Sequence, residues 1–180
     1  MIRATPTFRL VMPLRGGLPE VSSRVYGVAD DPHPSQHHMK PTYDLERFVD
    51  AQVSVYPRVL AELQRGEKTS HWMWFIFPQI AGLGQSTYAR KFAISSLDEA
   101  SQYLQHPLLG ARLLKCARLV LGVKGKTAVG IFQETDAMKL RSSATLFAQV
   151  SPAGSVFHRI VDQYFDGKPD AVTLNLLTRA

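Results

Sequence analysis

Two stretches of the chain carry side chains from which a reaction or a binding site could be built. The first runs from Lys68 to Ser86, K-T-S-H-W-M-W-F-I-F-P-Q-I-A-G-L-G-Q-S. His71 is its candidate catalytic group, because an imidazole can hold a pKa near neutrality and so give or take a proton. Lys68, Ser70, Gln79 and Ser86 add a cation, hydroxyls and an amide at the edges of an apolar block, where a core meets a cleft. An indole can stack on a base or another planar ring, and Trp72 is counted with these ligand-binding candidates. Trp72 and Trp74 are two residues apart, so on a helix they point about 200° apart. At most one of them faces a cleft, and the other belongs to the core.

The second stretch is D-A-M-K-L-R-S-S-A-T, from Asp136 to Thr145. Lys139, Ser142 and Ser143 stand at i, i+3 and i+4 and share a helical face, with Arg141 and Thr145 four apart on the neighbouring one. Two cations and three hydroxyls in the first turns of a helix suit an anion, phosphate in particular. The plainer alternative is a solvated face whose hydroxyls fill small gaps, although consecutive serines inside a helix cost propensity. Gly82-Leu-Gly84 could bring backbone amides to a phosphate, but it lacks the full dinucleotide fingerprint and has no Walker lysine. The chain has no His-Glu-x-x-His, no Gly-x-Ser-x-Gly and no acidic cluster for magnesium. Neither a metal nor another cofactor is expected.

Composition bounds what can position these groups. With 180 residues, 45% of them hydrophobic, the chain is long enough for one domain with a substantial core. The net charge of +6 permits contact with phosphates. Its cations are scattered, however, with Lys124-Gly-Lys126 and Lys139-Leu-Arg141 among the few close pairs, whereas a dedicated nucleic-acid binder shows a denser stripe. Nucleic acid is therefore not the expected partner. One cysteine, Cys116, rules out a disulfide framework and suits a reducing compartment, and its apolar helical setting reads as buried and inert. No apolar run approaches the ~20 residues that span a bilayer, so no membrane is expected and the cytoplasm is the expected location.

The chain divides at about residue 40. Residues 1–40 hold five prolines and a Gly16-Gly17 pair without a helical period, and read as a disordered extension without a secretory leader. His33, His37 and His38 lie there, and chance accounts for their clustering. Residues 41–180 read as a helical domain. Asp44 caps a first helix, Pro57 kinks or splits it, and Gly66 ends it. The block H-W-M-W-F-I-F is assigned to a helix capped by Thr69 or Ser70 and stopped by Pro78. Tyr88 to Phe92 makes a short helical turn. Ser96 and Glu99 form a capping box, and His106-Pro107 opens the long apolar helix that Gly122 stops. Further helices begin at Thr135 or Asp136, at Ser155 and at Asp170. With no alternating run and no Asn-Gly turn, the expectation is a single compact all-α domain behind an irregular N-terminal extension.

The quoted blocks K-T-S-H-W-M-W-F-I-F-P-Q and G-L-G-Q-S, with H-P-L-L-G-A-R-L and K-L-R-S-S-A-T-L-F, closely resemble the bacterial family catalogued as domain of unknown function 1810, sometimes mislabelled calpastatin. The resemblance covers about Asp44 to Leu177. It implies one all-α domain in a cytosolic bacterial protein and no established activity; Ala144 stands where the family usually has a residue such as Met. H-P-L-L-G-A-R-L-L also has a looser likeness of pattern to the ADP-ribose-processing N-glycosidase family, which implies a nucleotide-type ligand and transfers no catalytic residue. The functional expectation is a binding or catalytic domain for a phosphorylated, nucleotide-like small molecule. A non-catalytic interaction module and a weak nucleic-acid binder are the alternatives.

Overall fold

A computed structural model describes residues 43–179, and the extension read for residues 1–40, with its three histidines, lies outside the described residues. The order is α1 (Glu46–Val53), α2 (Tyr56–Arg65), α3 (Met73–Ile76), α4 (Thr87–Lys91), α5 (Leu97–Gln105), α6 (Leu109–Gly122), α7 (Ala128–Ala148), α8 (Val156–Phe165) and α9 (Ala171–Leu177). The domain is all-α, and among the described residues the β pairing is a single parallel bridge between Ile80 and Ile94. None of the described helices is long and apolar enough to cross a membrane.

Local chemistry sets most boundaries. Asp44 accepts the Arg47 N–H at the start of α1. Pro57 stands in the first turn of α2, where its missing donor costs nothing, and so divides α1 from α2. Gly66 takes the left-handed conformation that ends α2. Ser96 caps α5 by accepting the Glu99 N–H. The Glu99 carboxylate reaches one residue further back than a capping box requires, taking the Ser95 N–H and hydroxyl and the Arg47 guanidinium. The imidazole of His106 caps the turn before α6, and Asp170 caps α9 through Thr173.

The second half of α7 is the axis of the domain. Every residue from Ser142 to Ala148 is buried, as a helix surrounded by others must be. It packs on α5, α8 and α9, while α6 packs on α2, α5 and α8. Phe147 lies between Tyr103 of α5 and Phe157 of α8, with ring centroids 5.5 Å from each.

One sequence expectation needs correction, and one helix boundary moves. H-W-M-W-F-I-F is not a full helix: only Met73–Ile76 is helical, and Thr69 and Ser70 do not cap it. Their N–H groups are taken by Glu62, and Phe77, which precedes Pro78, is pushed out of the helical region. The helix expected from Thr135 or Asp136 is the second segment of α7 and starts directly after a break. α7 begins at Ala128 under a Thr127 cap and is broken at Gln133, whose backbone is at φ 61°, ψ 168°.

The crossing of α5 and α6 depends on a bare backbone. A Cβ at Gly110 would stand 1.9 Å from the Leu104 carbonyl oxygen, whereas one at Gly122 would meet nothing within 4 Å. Gly110→Ala is therefore expected to cost at least about 2 kcal/mol, despite alanine's better helix propensity. Gly122→Ala should cost nothing. Urea unfolding of both variants measures the difference.

Candidate functional site

The polar rim of the aromatic block is organised by a residue outside it. α2 turns Glu62 inward, where it is 1% exposed. One of its oxygens accepts the Thr69 N–H at 2.9 Å, the Ser70 N–H at 3.2 Å and the Trp72 indole N–H at 2.8 Å, and the other accepts the Ser70 hydroxyl at 2.6 Å. Burial pushes the carboxyl up, but these hydrogen bonds outweigh it and hold its pKa at about 2.

Pinned in this way, the strand of chain before α3 lies along the break in α7. Lys68 donates its N–H to the Ile131 carbonyl at 2.8 Å. Its ammonium reaches the Ser70 carbonyl at 2.7 Å and the Asp136 carboxylate at 2.5 Å. The other Asp136 oxygen takes Lys139 at 2.8 Å. Burial raises the Asp136 carboxyl, and the hydrogen bonds and charges of Lys139 and Lys68 more than reverse this, leaving it below the usual carboxylate range. Lys139 also stands over the Trp74 ring, 4.5 Å from its centroid, a cation–π contact.

Two adjoining hollows flank this Lys139–Trp74 pair, and both are lined by Trp74, Thr135 and Lys139. The first, about 410 Å³, adds Gln79, Gln85, Ser86, Met138 and Ser142. The second, about 460 Å³, adds His71, Gln133, Glu134 and Asp136. The two stretches singled out in the sequence therefore meet around shared concave surfaces.

Not every expected residue takes part. His71, Gln79, Ser86, Lys139 and Ser142 line the hollows, the Ser142 hydroxyl donating to the Met138 carbonyl. Lys68 and Ser70 are not among the lining residues: Lys68 pairs with Asp136, and Ser70 is tied to Glu62. Trp72 is a core residue, 1% exposed and packed against Phe77 and Phe132, so Trp74 is the indole at the surface. Arg141 is turned to the Lys168 and Pro169 carbonyls, tying α7 to the start of α9, and it lines neither hollow. Ser143 is 1% exposed, and among the described residues its hydroxyl has no partner. The proposed group of two cations and two serines thus reduces to Lys139 and Ser142. Glu62, Gln133 and the ion-pairing role of Asp136 were missed. Among the described residues no three His, Cys, Asp or Glu side chains are grouped to hold a metal.

A model described as "Protein of unknown function (DUF1810)" matches residues 42–177. The crystal structure of a conserved hypothetical protein from Mycobacterium tuberculosis is 48% identical and superposes with a TM-score of 0.74. The match covers 76% of this chain and 97% of that one. Among curated proteins, none matches.

Two outcomes follow from the geometry. Because the folded-state pKa of Glu62, about 2, is below its ordinary 4.5, its contribution is complete above about pH 4.5 and is lost as the pH falls towards 2. Glu62→Gln should cost roughly 2–4 kcal/mol at neutral pH and flatten the acid limb of a stability–pH profile in that window. Gln133 holds a conformation suited to glycine, so Gln133→Gly should raise stability by about 1 kcal/mol, read as a higher urea midpoint.

Proposed function

This chain belongs to the DUF1810 family of proteins of unknown function, so no activity comes with the fold, and we propose from its site that it binds a phosphorylated, nucleotide-like small molecule beside Trp74 and Lys139. The observation that carries this reading is the pair itself. A ring laid in either hollow meets the Trp74 indole, and an anionic group on that ring meets the Lys139 ammonium. Lys68 and Lys139 share the single carboxylate of Asp136, which leaves the trio one positive charge in excess. The Ser86 hydroxyl oxygen accepts the Ala89 N–H and keeps its own proton to donate, and the Gln79 and Gln85 amides can read polar edges of a ring. His71, on the second hollow, is the acid–base group if a bond of the ligand is broken. An ADP-ribose-like compound is the preferred member of the class, and the cytoplasm, which suits a single buried thiol, is where we place the protein.

A second reading has one observation in its favour. Tyr88, which packs on Trp74, and Met138 and Val172 on the first hollow are each more than half exposed, as the rim of a protein-docking surface would be.

Titration with AMP, ADP and ADP-ribose, followed by tryptophan fluorescence and thermal shift, separates the two. At least one of these should quench Trp74 and raise the melting temperature. Lys139→Ala should weaken that binding by about tenfold or more, roughly 1.4 kcal/mol. Arg141→Ala should leave affinity unchanged, because its guanidinium faces away. Absence of any response in the wild type, or an undiminished response in Lys139→Ala, sinks the small-molecule reading.

A further inference from the structure

A third hollow, about 490 Å³, lies where α2 and α6 end. Its cations come from three separate elements: Arg65 from the last turn of α2, Arg118 from α6, and Lys124 and Lys126 from the loop before α7. Among the described residues, no acidic and no aromatic side chain lines it. The Lys126 ammonium donates to the Gly66 carbonyl at 2.9 Å, which ties the loop to the end of α2 and leaves it two further donors. The side chains of Arg65, Arg118 and Lys124 have no hydrogen bond or ion pair among the described residues.

Cations near helix C-termini commonly serve only to offset the helix dipole. Here the charges do not balance. Two helix ends contribute about half a negative charge each, against four whole positive charges, so an excess of about three remains unneutralised. That excess is half of the net +6 of the entire chain. The lysine of the Trp74 hollows, Lys139, by contrast has a carboxylate partner in Asp136, which it shares with Lys68.

We propose that this hollow is a binding site for phosphate oxyanions presented in series. Two guanidinium forks and two ammonium groups match phosphate oxygens well. With no aromatic side chain lining it among the described residues, the hollow offers no surface that reads a base or sugar ring. The ligand is therefore an inorganic polyphosphate chain or the backbone of a single-stranded nucleic acid, recognised through the same oxyanions. The site is independent of the Trp74 hollow and of any function assigned to it.

Isothermal titration of the whole protein with inorganic tripolyphosphate at low salt tests the proposal, with an oligouridylate of ten nucleotides as a second arm. Binding should be seen and should weaken at least tenfold in Arg118→Ala/Lys124→Ala. Both side chains are exposed, so this variant should keep the wild-type melting temperature. Arg58→Ala/Arg179→Ala removes the same charge from exposed positions that line none of these hollows, and should bind as the wild type does. Lys139→Ala should also bind normally, which separates this site from the first. Tighter binding of the oligouridylate assigns the oxyanions to a nucleic-acid backbone, and tighter binding of tripolyphosphate to a free polyphosphate. No binding in either arm overturns the proposal, as does an equal loss in the two double variants, which would mean that only diffuse net charge is sensed.

Discussion

The Glu62 carboxylate is the constraint on which the site depends. A buried carboxylate ordinarily costs several kcal/mol unless it is paired, and no cation lies within ion-pair distance of Glu62 among the described residues. Four N–H and O–H donors from Thr69, Ser70 and Trp72 take the place of a counter-ion. To supply them, the chain from Thr69 to Trp72 must leave the helical conformation, since the Thr69 and Ser70 amides point at α2. That single requirement shortens the aromatic helix to one turn, draws Trp72 into the core and leaves His71 and Trp74 towards the outside.

The same placement brings Lys68 against the break in α7. An unbroken α7 would not have the Gln133 backbone in a conformation that side chains rarely adopt, at a cost of about 1–3 kcal/mol. In exchange, Ile131 leaves a carbonyl for the Lys68 amide, and Asp136 stands between two lysines. Strain of this kind persists only where surrounding contacts over-determine it, and here the Lys68 contacts on both sides of Gln133 do so. Lys139 is thereby held over Trp74 instead of extending into solvent, and the two hollows share one wall.

How much of this was legible in the sequence depended on the range of each interaction. Caps and breaks are local, so Asp44, Pro57, Gly66, Ser96, His106 and Asp170 could be read from their neighbours. Glu62 could not: its partners lie seven to ten residues further on, and an isolated acid in an amphipathic helix looks like surface charge. Gln133 gave no signal either, because a left-handed backbone is anticipated at glycine and not at glutamine. In the second stretch, the spacing of Lys139, Ser142 and Ser143 was a correct statement about one helix. What it omitted was how closely the other helices surround α7. Burial claims Ser143, and the carbonyls before α9 claim Arg141, so the face that looked uniformly polar is divided between core, tie and site.

The cations show the same limit from the opposite side. Along the chain they are dispersed, and dispersion argues against a phosphate-binding surface. Folding converts sequence distance into something else: Arg65 and Lys124 are fifty-nine positions apart, yet helix ends bring them to one hollow, since α2 and α6 pack together and finish side by side. Lys68 and Lys139, also far apart, converge as well, but on a carboxylate. The electrostatic character of a basic protein thus rests less on how many lysines and arginines it has than on which of them the fold supplies with an acid. In this chain Asp136 offsets one of the two lysine charges beside the aromatic block and Glu99 pairs with Arg47, whereas among the described residues nothing acidic lines the hollow at the ends of α2 and α6.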